Sequence, residues 1–248
     1  SSRSLLHMSK RVCLLRHGES AAQAHSRRQR WRPESTFLID APLGAEGELQ
    51  AKQLAGSESQ LELVVCSPLT RAFQTALLAF GDAGVPVVPH PDLREIPPRG
   101  YLNGEVGVPQ QPECQGRPAS VLQEDPRLAG MAGSHLIDWT LLVGASDPEL
   151  WWSPVVEDRL AVSHRLQSFV AWLAQRPESE IAVVCHFNVI QQLLPSQRGL
   201  RIPNCTPFIC DVVGQQWTLR EAQPQPVLTA QDAPATEVAE TRAAAEVE

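Results

Sequence analysis

Apolar and polar positions along the chain follow two alternating patterns. Four short apolar runs have the length of buried strands, and they occupy residues 12–15, 61–66, 85–88 and 181–185. Helical spacing of apolar residues fills residues 44–58, 68–80 and 157–174 and returns after the fourth run as far as residue 194. Two further strands are predicted at residues 208–213 and 216–219. Strands that alternate with helices predict an α/β fold with a mostly parallel central sheet and helices on both faces.

Two stretches break this rhythm. Residues 97–156 contain eight prolines and many glycines, and we expect an irregular insertion there that forms a lid over a site. Residues 223–248 are rich in Pro, Ala, Thr and Glu and poor in bulky apolar residues, so we expect a disordered acidic tail. The chain is therefore predicted to hold one domain, from residue 10 to residue 222, which includes the lid insertion.

The overall composition excludes several classes of protein. Of the 248 residues, 43% are hydrophobic and 20% are charged, which is an ordinary balance for a soluble globular protein. The formal net charge of −7 disfavours a protein that wraps nucleic acid, because such proteins carry a basic surface. No unbroken apolar run reaches the ~18 residues of a membrane-spanning helix. We therefore expect no nucleic-acid partner and no membrane partner.

The net charge of −7 is an average, because basic and acidic residues are concentrated in different parts of the chain. Residues 1–32 hold eight basic residues and one acid, whereas residues 223–248 hold five acids and one arginine. A basic segment on an acidic body favours a small anionic ligand near the amino terminus. The alternative is a solvated arginine-rich loop with no ligand.

The six cysteines form no CxxC pair, and Cys13, Cys66 and Cys185 lie inside apolar runs. This placement predicts buried free thiols rather than disulfides and a reducing compartment, which we take to be the cytoplasm. Because the chain begins at Ser1, the expectation includes an incomplete amino terminus, with an organelle as the alternative location. No ligand spacing that would hold zinc is seen for the histidines outside the motifs described below, which are His7, His25, His90, His135 and His164.

Polar residues follow three of the predicted strands. The first strand runs into Arg16 and His17, the second into a segment that ends at Arg71, and the fourth into His186. Carboxyl ends of parallel strands meet at one edge of a sheet, where ligands bind near a topological switch point. Two arginines and two histidines at that edge predict a phosphate pocket, since guanidinium groups donate to phosphate oxygens. Each residue taken singly also fits a purely structural role.

The segments after the second and fourth strands carry further expectations. Ser67 is predicted to cap the helix that follows it, with Pro68 in the first helical turn. Helices that begin at Pro68 and Asn188 would add backbone donors to the phosphate pocket.

These motifs also carry a resemblance. The segments LLRHGES, DAPLGAEGELQAKQLA, VVCSPLTRAFQTA, LREI and VVCHFN, in this order between about residues 11 and 195, resemble the histidine phosphatase superfamily, whose fold is phosphoglycerate-mutase-like. The FLIDAPLGAEG and DPELWWSPVVEDR stretches are most similar to mutase-like phosphatases of plants and fungi. The resemblance implies a three-layer α/β sandwich.

The resemblance also implies a role for each site residue. His17 is the histidine that becomes phosphorylated, and Arg16, Arg71 and His186 bind the phosphoryl group. Glu95 falls in the place of the family's acid.

Two positions after the second histidine motif concern the substrate. Asn188 matches an asparagine of the mutases and is expected to bind substrate. Phe187 stands where many members have glycine, and it is expected to narrow the pocket or to shift a backbone donor.

The expected reaction is hydrolysis of a small phosphorylated metabolite through a phosphohistidine, with no metal and no cofactor. The second ring nitrogen of His17 should donate to a backbone carbonyl near Gly18. Glu95 should be protonated at first, with a pKa above its ordinary ~4.3. The alternative for Glu95 is an ion pair with Arg94 or Arg99.

Two other functions stay open. A phosphomutase would need further cations around the pocket, and the candidates are Arg27, Arg28, Arg30, Arg32, Arg94, Arg99 and Arg117. A pseudoenzyme would bind a phosphorylated ligand without turnover. The sequence leaves the substrate and the oligomeric state open.

Overall fold

The computed structural model describes residues 9–28, 39–58, 60–97, 109–110, 112–199 and 201–222. Its centre is a six-stranded sheet of β1 (Ser9–Arg16), β2 (Leu63–Cys66), β3 (Val87–Pro89), β4 (Glu180–Cys185), β5 (Pro207–Val213) and β6 (Gln216–Ala222). The spatial order of the strands is β3-β2-β4-β1-β5-β6. Strands β3, β2, β4 and β1 are parallel, whereas β5 and β6 form an antiparallel hairpin at the edge beside β1. The predicted mostly parallel sheet is confirmed.

Eight α-helices surround the sheet in the described part of the chain. They are α1 (Ala21–Arg28), α2 (Ala45–Lys52), α3 (Thr70–Phe80), α4 (Ala119–Gln123), α5 (Pro126–Ala129), α6 (Thr140–Val143), α7 (Arg159–Gln175) and α8 (Phe187–Leu193). Short 3-10 helices lie at Gly81–Ala83, Pro91–Leu93, Pro112–Cys114, Ser134–Leu136, Pro148–Leu150 and Pro195–Gln197. None of the helices in these ranges is both long enough and apolar enough to cross a membrane.

Each face of the sheet has its own apolar core, because side chains alternate along every strand. In β4, Ile181 and Val183 belong to the core that also holds Phe169 of α7 and Ile190 of α8. Their neighbours Ala182 and Val184 belong to the other core, with residues of α2 and α3. Helices therefore cover both faces, as the alternation of strands and helices predicts.

The strand order places the two histidine motifs side by side. β1 and β4 pair in parallel, with Arg16 opposite Cys185, so the residues that follow these strands are neighbours. The chain leaves β1 toward α2 on one face and leaves β4 into α8 on the other face. This divergence is a topological switch point, the place where an open α/β sheet offers a ligand crevice.

Several predicted boundaries differ from the observed ones. The helix predicted over residues 44–58 ends at Lys52, and the turn after it includes Gly56 at a φ of +75°. The helix expected from Pro68 begins at Thr70, and the strands expected at residues 61–66 and 85–88 are Leu63–Cys66 and Val87–Pro89. Apolar runs locate the elements, but backbone hydrogen bonds decide where each one ends.

The segment from residue 97 to 156 is more regular than expected where it is described. It contains α4, α5 and α6, each five residues or shorter, separated by turns. Its frequent prolines and glycines end helices early and do not prevent them. Residues 98–108 and 111 of this insertion, and the tail over 223–248, lie outside the described residues.

Candidate active site

A cavity of about 390 Å³ lies where the segments after β1, β2, β3 and β4 meet. Five of the six predicted site residues line it, and they are Arg16, His17, Arg71, Glu95 and Asn188. The sixth, His186, is fully buried with its ring centroid 5.0 Å from that of His17. The structure thus brings all six together.

His17 is fixed by backbone on one side and faces a guanidinium on the other. Its own N–H donates to the Cys185 carbonyl at 3.0 Å, which continues the pairing of β1 with β4. Its ring Nδ1 lies 2.7 Å from the Gly18 carbonyl oxygen, the contact expected from the sequence. Because a carbonyl accepts only, Nδ1 carries the proton, and Nε2 is left as an acceptor 3.3 Å from the Nε of Arg71.

Both histidines are held in the neutral form. Burial lowers the pKa of His17 well below its ordinary value, and the charges of Arg71 and Arg16 lower it further. Burial also dominates the lowered pKa of His186, with Arg71 and His17 adding to it. Within the described residues, both ring nitrogens of His186 are buried without a hydrogen-bond partner. Two neutral rings therefore face the cationic wall of the cavity.

The turn after His17 depends on two contacts, one with α3 and one with α2, that the sequence does not predict. The Gly18 N–H donates to Thr75 Oγ1 of α3 at 3.0 Å. A Cβ on Gly18 would lie 2.5 Å from the carbonyl oxygen of Gly47 in α2, so only glycine fits there. The glycine of the RHG motif is thus required by the approach of α2.

Arg71 belongs to the first turn of α3, and that turn is anchored from a distance. Asp40 accepts from the Thr70 N–H at 2.7 Å and from the Thr70 hydroxyl at 2.5 Å, and Arg117 donates to Asp40 at 2.8 Å. Ser67 instead accepts from the Leu69 N–H at 3.3 Å, before the helix. The prediction that Ser67 caps this helix is wrong, because a carboxylate 30 residues upstream takes that place.

Arg16 lines the cavity and is held by contacts outside the histidine motifs' strands. It donates to the Ile202 carbonyl at 2.8 Å, and its guanidinium lies 5.4 Å from the ring centroid of Phe187. Phe187 lines the cavity, and its ring makes a cation–π contact with Arg16.

Glu95 faces the cavity as a group biased toward its protonated form. Burial raises the pKa of Glu95, and the charges of Arg71 and Arg16 oppose that rise. The alternative ion pair with Arg94 is absent, because Arg94 pairs with Glu157 and lies 3.8 Å from Asp92. Arg99, the other candidate partner, lies outside the described residues.

Asn188 lines the cavity, and its side-chain amide is already bonded. Its Nδ2 donates to the Ile96 carbonyl oxygen at 2.8 Å. The helix expected to begin at Asn188 begins one residue earlier, at Phe187, with His186 as its N-cap residue. Asn188 therefore connects α8 to the segment that carries Glu95.

The described cations that a mutase would need are bonded elsewhere. Arg27 pairs with Glu19 at 2.6 Å, Arg94 with Glu157, and Arg117 with Asp40 and Asp125. Arg30 and Arg32, like the side chain of Arg28, lie outside the described residues. No group of three or more His, Cys, Asp or Glu in the described ranges is arranged to hold a metal ion.

Comparisons with known sequences agree with this arrangement. The family model of the histidine phosphatase superfamily (branch 1) matches residues 12–101. Phosphoglycerate mutase-like protein 1 of Arabidopsis thaliana is 25% identical over 227 residues, which cover 83% of this chain and 78% of the relative. A protein of Escherichia fergusonii named probable phosphoglycerate mutase GpmB is 27% identical over 219 residues, covering 83% of this chain and 86% of its own.

Solved structures share the fold. The alpha-ribazole phosphatase from Shigella flexneri superposes with a TM-score of 0.54 at 22% identity, covering 88% of this chain and 98% of that one. Phosphoglycerate mutase from Bacillus anthracis superposes with a TM-score of 0.54 at 17% identity, covering 88% and 94%. The chain is therefore similar to the histidine phosphatase superfamily (branch 1) over residues 12–101 and to a plant mutase-like protein over most of its length.

Proposed function

We propose that this protein hydrolyses phosphomonoesters of small metabolites through a phosphohistidine at Nε2 of His17. The observation that carries the proposal is the orientation of His17. Its Nδ1–H is bound to the Gly18 carbonyl, which leaves Nε2 unprotonated as an acceptor on the side of Arg71, with which His17 and Arg16 line the cavity. A neutral imidazole with a fixed tautomer is ready to attack phosphorus without first losing a proton.

In the first step, Nε2 of His17 attacks phosphorus in line with the ester oxygen, and the P–O bond to that oxygen breaks. Glu95 gives its proton to the departing oxygen, so the alcohol leaves neutral and Glu95 becomes a carboxylate. In the second step, water attacks phosphorus, Glu95 takes a proton from it, and the P–N bond breaks. Inorganic phosphate leaves, and His17 and Glu95 return to their starting forms.

Arg16, Arg71 and His186 supply the electrostatic part of this mechanism. The two guanidinium groups donate to the equatorial oxygens of the phosphoryl group, where charge is spread in the transition state. The neutral ring of His186 adds one N–H donor, which has no partner among the described residues and suits a ligand that brings an acceptor oxygen.

The remainder of the cavity wall favours hydrolysis over phosphoryl transfer between two anionic positions of one substrate. Among the described residues, the rest of the cavity wall has as many polar as apolar side chains: Ser20, Gln23, Ser26 and Glu113, and Ala22, Ala41, Ile96 and Phe187. Hydroxyl and amide groups suit an alcohol portion with hydroxyls, and a carboxylate repels a second anion. Arg201 is near enough to lower the pKa of Arg16 but does not line the cavity.

Turnover of para-nitrophenyl phosphate and of a panel of sugar phosphates tests the proposal. His17→Ala should lower kcat by at least about 1000-fold, because the nucleophile is lost. His164→Ala, which removes an exposed histidine of α7, is the matched control and should leave kcat unchanged. Rapid quenching should trap a phosphoryl group that is labile in acid and stable in base.

Three results would each count against the proposal. They are the absence of turnover in the intact protein, full activity of His17→Ala, and label that survives acid. A bisphosphate-dependent isomerisation of phosphorylated hydroxy acids would instead identify the protein as a mutase that uses the same nucleophile.

A further inference from the structure

A buried ion pair lies next to the segment that carries Glu95 and has no part in the steps above. Arg165 lies in the middle of α7, and Glu157 precedes that helix; each is 6% exposed. The Nε of Arg165 lies 3.0 and 3.2 Å from the two carboxylate oxygens of Glu157. A buried guanidinium is costly unless its other donors are also bonded, so the partners of those donors are informative.

The other donors of Arg165 reach a single short segment. Nη1 donates to the carbonyl oxygens of Asp92 at 2.6 Å and Arg94 at 3.0 Å, and Nη2 lies 3.4 Å from that of Glu95. Residues 94–97 belong to neither a helix nor a strand, so their backbone has no regular hydrogen-bond partners. The Arg165 side chain thus donates hydrogen bonds to backbone carbonyl oxygens that a helix or a strand would otherwise satisfy.

The next residue is held by a different helix. The Ile96 carbonyl accepts from Asn188 Nδ2 at 2.8 Å, and the Ile96 N–H donates to Glu95 Oε1 at 2.8 Å. Arg165 of α7 therefore holds the backbone of Glu95, and Asn188 of α8 holds the backbone of the next residue, Ile96. The carboxyl group can then keep one position relative to the cavity.

We infer that Arg165, oriented by Glu157, is a positioning residue that holds the Glu95 carboxyl at the leaving oxygen of the substrate. The inference rests on the proposed function of Glu95 as the proton donor. Neither Arg165 nor Glu157 lines the cavity, so neither touches substrate. A displacement of the acid by about 1 Å can cost on the order of 100-fold in rate, which sets the expected effect.

Leaving groups of different basicity separate this role from a merely structural one. Para-nitrophenolate departs without a proton, whereas an alkyl alkoxide needs one from Glu95. Arg165→Met should lower kcat/KM for an alkyl phosphate by on the order of 100-fold and for para-nitrophenyl phosphate by less than about 3-fold. We use kcat/KM because it reports the steps up to departure of the alcohol and excludes hydrolysis of the phosphohistidine.

Two further variants and one control complete the comparison. Glu157→Gln keeps Arg165 but removes its charged partner, and it should show the same selectivity with a smaller loss. Glu95→Gln shows how far kcat/KM for each of the two substrates falls when the proton donor itself is lost. Arg11→Met removes the Arg11–Glu58 ion pair, of 2.6 Å, at the opposite end of β1, and it should affect neither substrate.

Hydrogen exchange gives a readout that does not depend on turnover. Amides of residues 92–96 should exchange faster in Arg165→Met than in the original protein, while β2 and β4 stay protected. Unchanged exchange in this segment, or equal losses for both substrates, would overturn the inference. Absence of selectivity in Glu95→Gln would overturn the proposed role of Glu95 instead, and with it the inference for catalysis.

Discussion

His17 and His186 lie with their rings 5.0 Å apart beside two guanidinium groups, and the pKa of each is well below its ordinary value. Protonation of either ring would place a third positive charge in a buried space. Burial and the charges of Arg71 and Arg16 thus keep both rings unprotonated. Glu95 is shifted in the opposite direction, so that neutral base and neutral acid exist at the same pH.

These opposite shifts predict an acidic optimum for hydrolysis of alkyl phosphates. kcat/KM should rise with pH as His17 loses its proton, and this rise should lie below pH 6.5, the ordinary pKa of histidine. kcat/KM should then fall as Glu95 loses its proton, and this fall should lie above pH 4.5, the ordinary pKa of glutamate. A pH profile corrected for ionisation of the substrate measures both limbs. Glu95→Gln should remove the alkaline fall and lower kcat/KM about 100- to 10,000-fold. An alkaline fall that persists in Glu95→Gln would assign that limb to another group.

At the scale of elements, the site is built from contacts between backbones. α2 packs so closely on the segment after β1 that a Cβ on Gly47 would lie 2.1 Å from the Glu19 carbonyl oxygen. Gly18 meets Gly47 with similarly little space, at 2.5 Å. Two glycines that face each other allow α2 to pack directly against the backbone of the turn after His17.

This contact predicts that replacing a helical glycine by alanine, usually a stabilising change, destabilises the protein at Gly47. Alanine at a glycine inside a helix usually stabilises it by about 1 kcal/mol. Gly47→Ala should instead lower the free energy of unfolding by about 1–3 kcal/mol, through overpacking, and lower kcat/KM with it. Gly130→Ala, whose Cβ would be 3.6 Å from the Pro126 carbonyl oxygen, is the control. Urea denaturation measures the free energy of unfolding of both variants. A Gly47→Ala variant more stable than the original protein would contradict the close packing of α2 on the segment after β1.

The chain sequence predicts the elements better than the contacts between them. Apolar runs locate β1, β2 and β4 because buried parallel strands need continuous apolar residues. The meeting of the three polar strand ends at one edge then follows from the parallel arrangement of the strands. The capping of α3 by Asp40 could not be read from the sequence, since 30 residues separate the partners. The segment that contains Asp40 enters only through the resemblance, and Arg117 only as a candidate cation of a mutase, although the two together anchor the helix that carries Arg71.

Considered as a whole, the molecule encloses its reactive groups. Six free cysteines are all buried, as the apolar runs around Cys13, Cys66 and Cys185 predict. Burial raises the pKa of the Cys205 and Cys210 thiols to about 12. Thiolates, the reactive form, are therefore scarce in the folded protein.

This burial predicts that thiol reagents will report unfolding. A disulfide reagent such as Ellman's should release almost no colour from the native protein and six equivalents after denaturation. Labelling in a urea series should follow the same transition as circular dichroism. Rapid labelling of the native protein at Cys114, the cysteine nearest Glu113 in the cavity wall, would show that the site opens without global unfolding.

The position of β1 has a consequence for how the protein is made. β1 lies between β4 and β5, and neither neighbour is synthesised until residues 180–185 and 207–213 have been added. His17 therefore leaves the ribosome long before the strands that will hold it. At ordinary synthesis rates the delay is roughly 10–40 s. His17, the proposed nucleophile, is therefore synthesised well before the site that would use it can form.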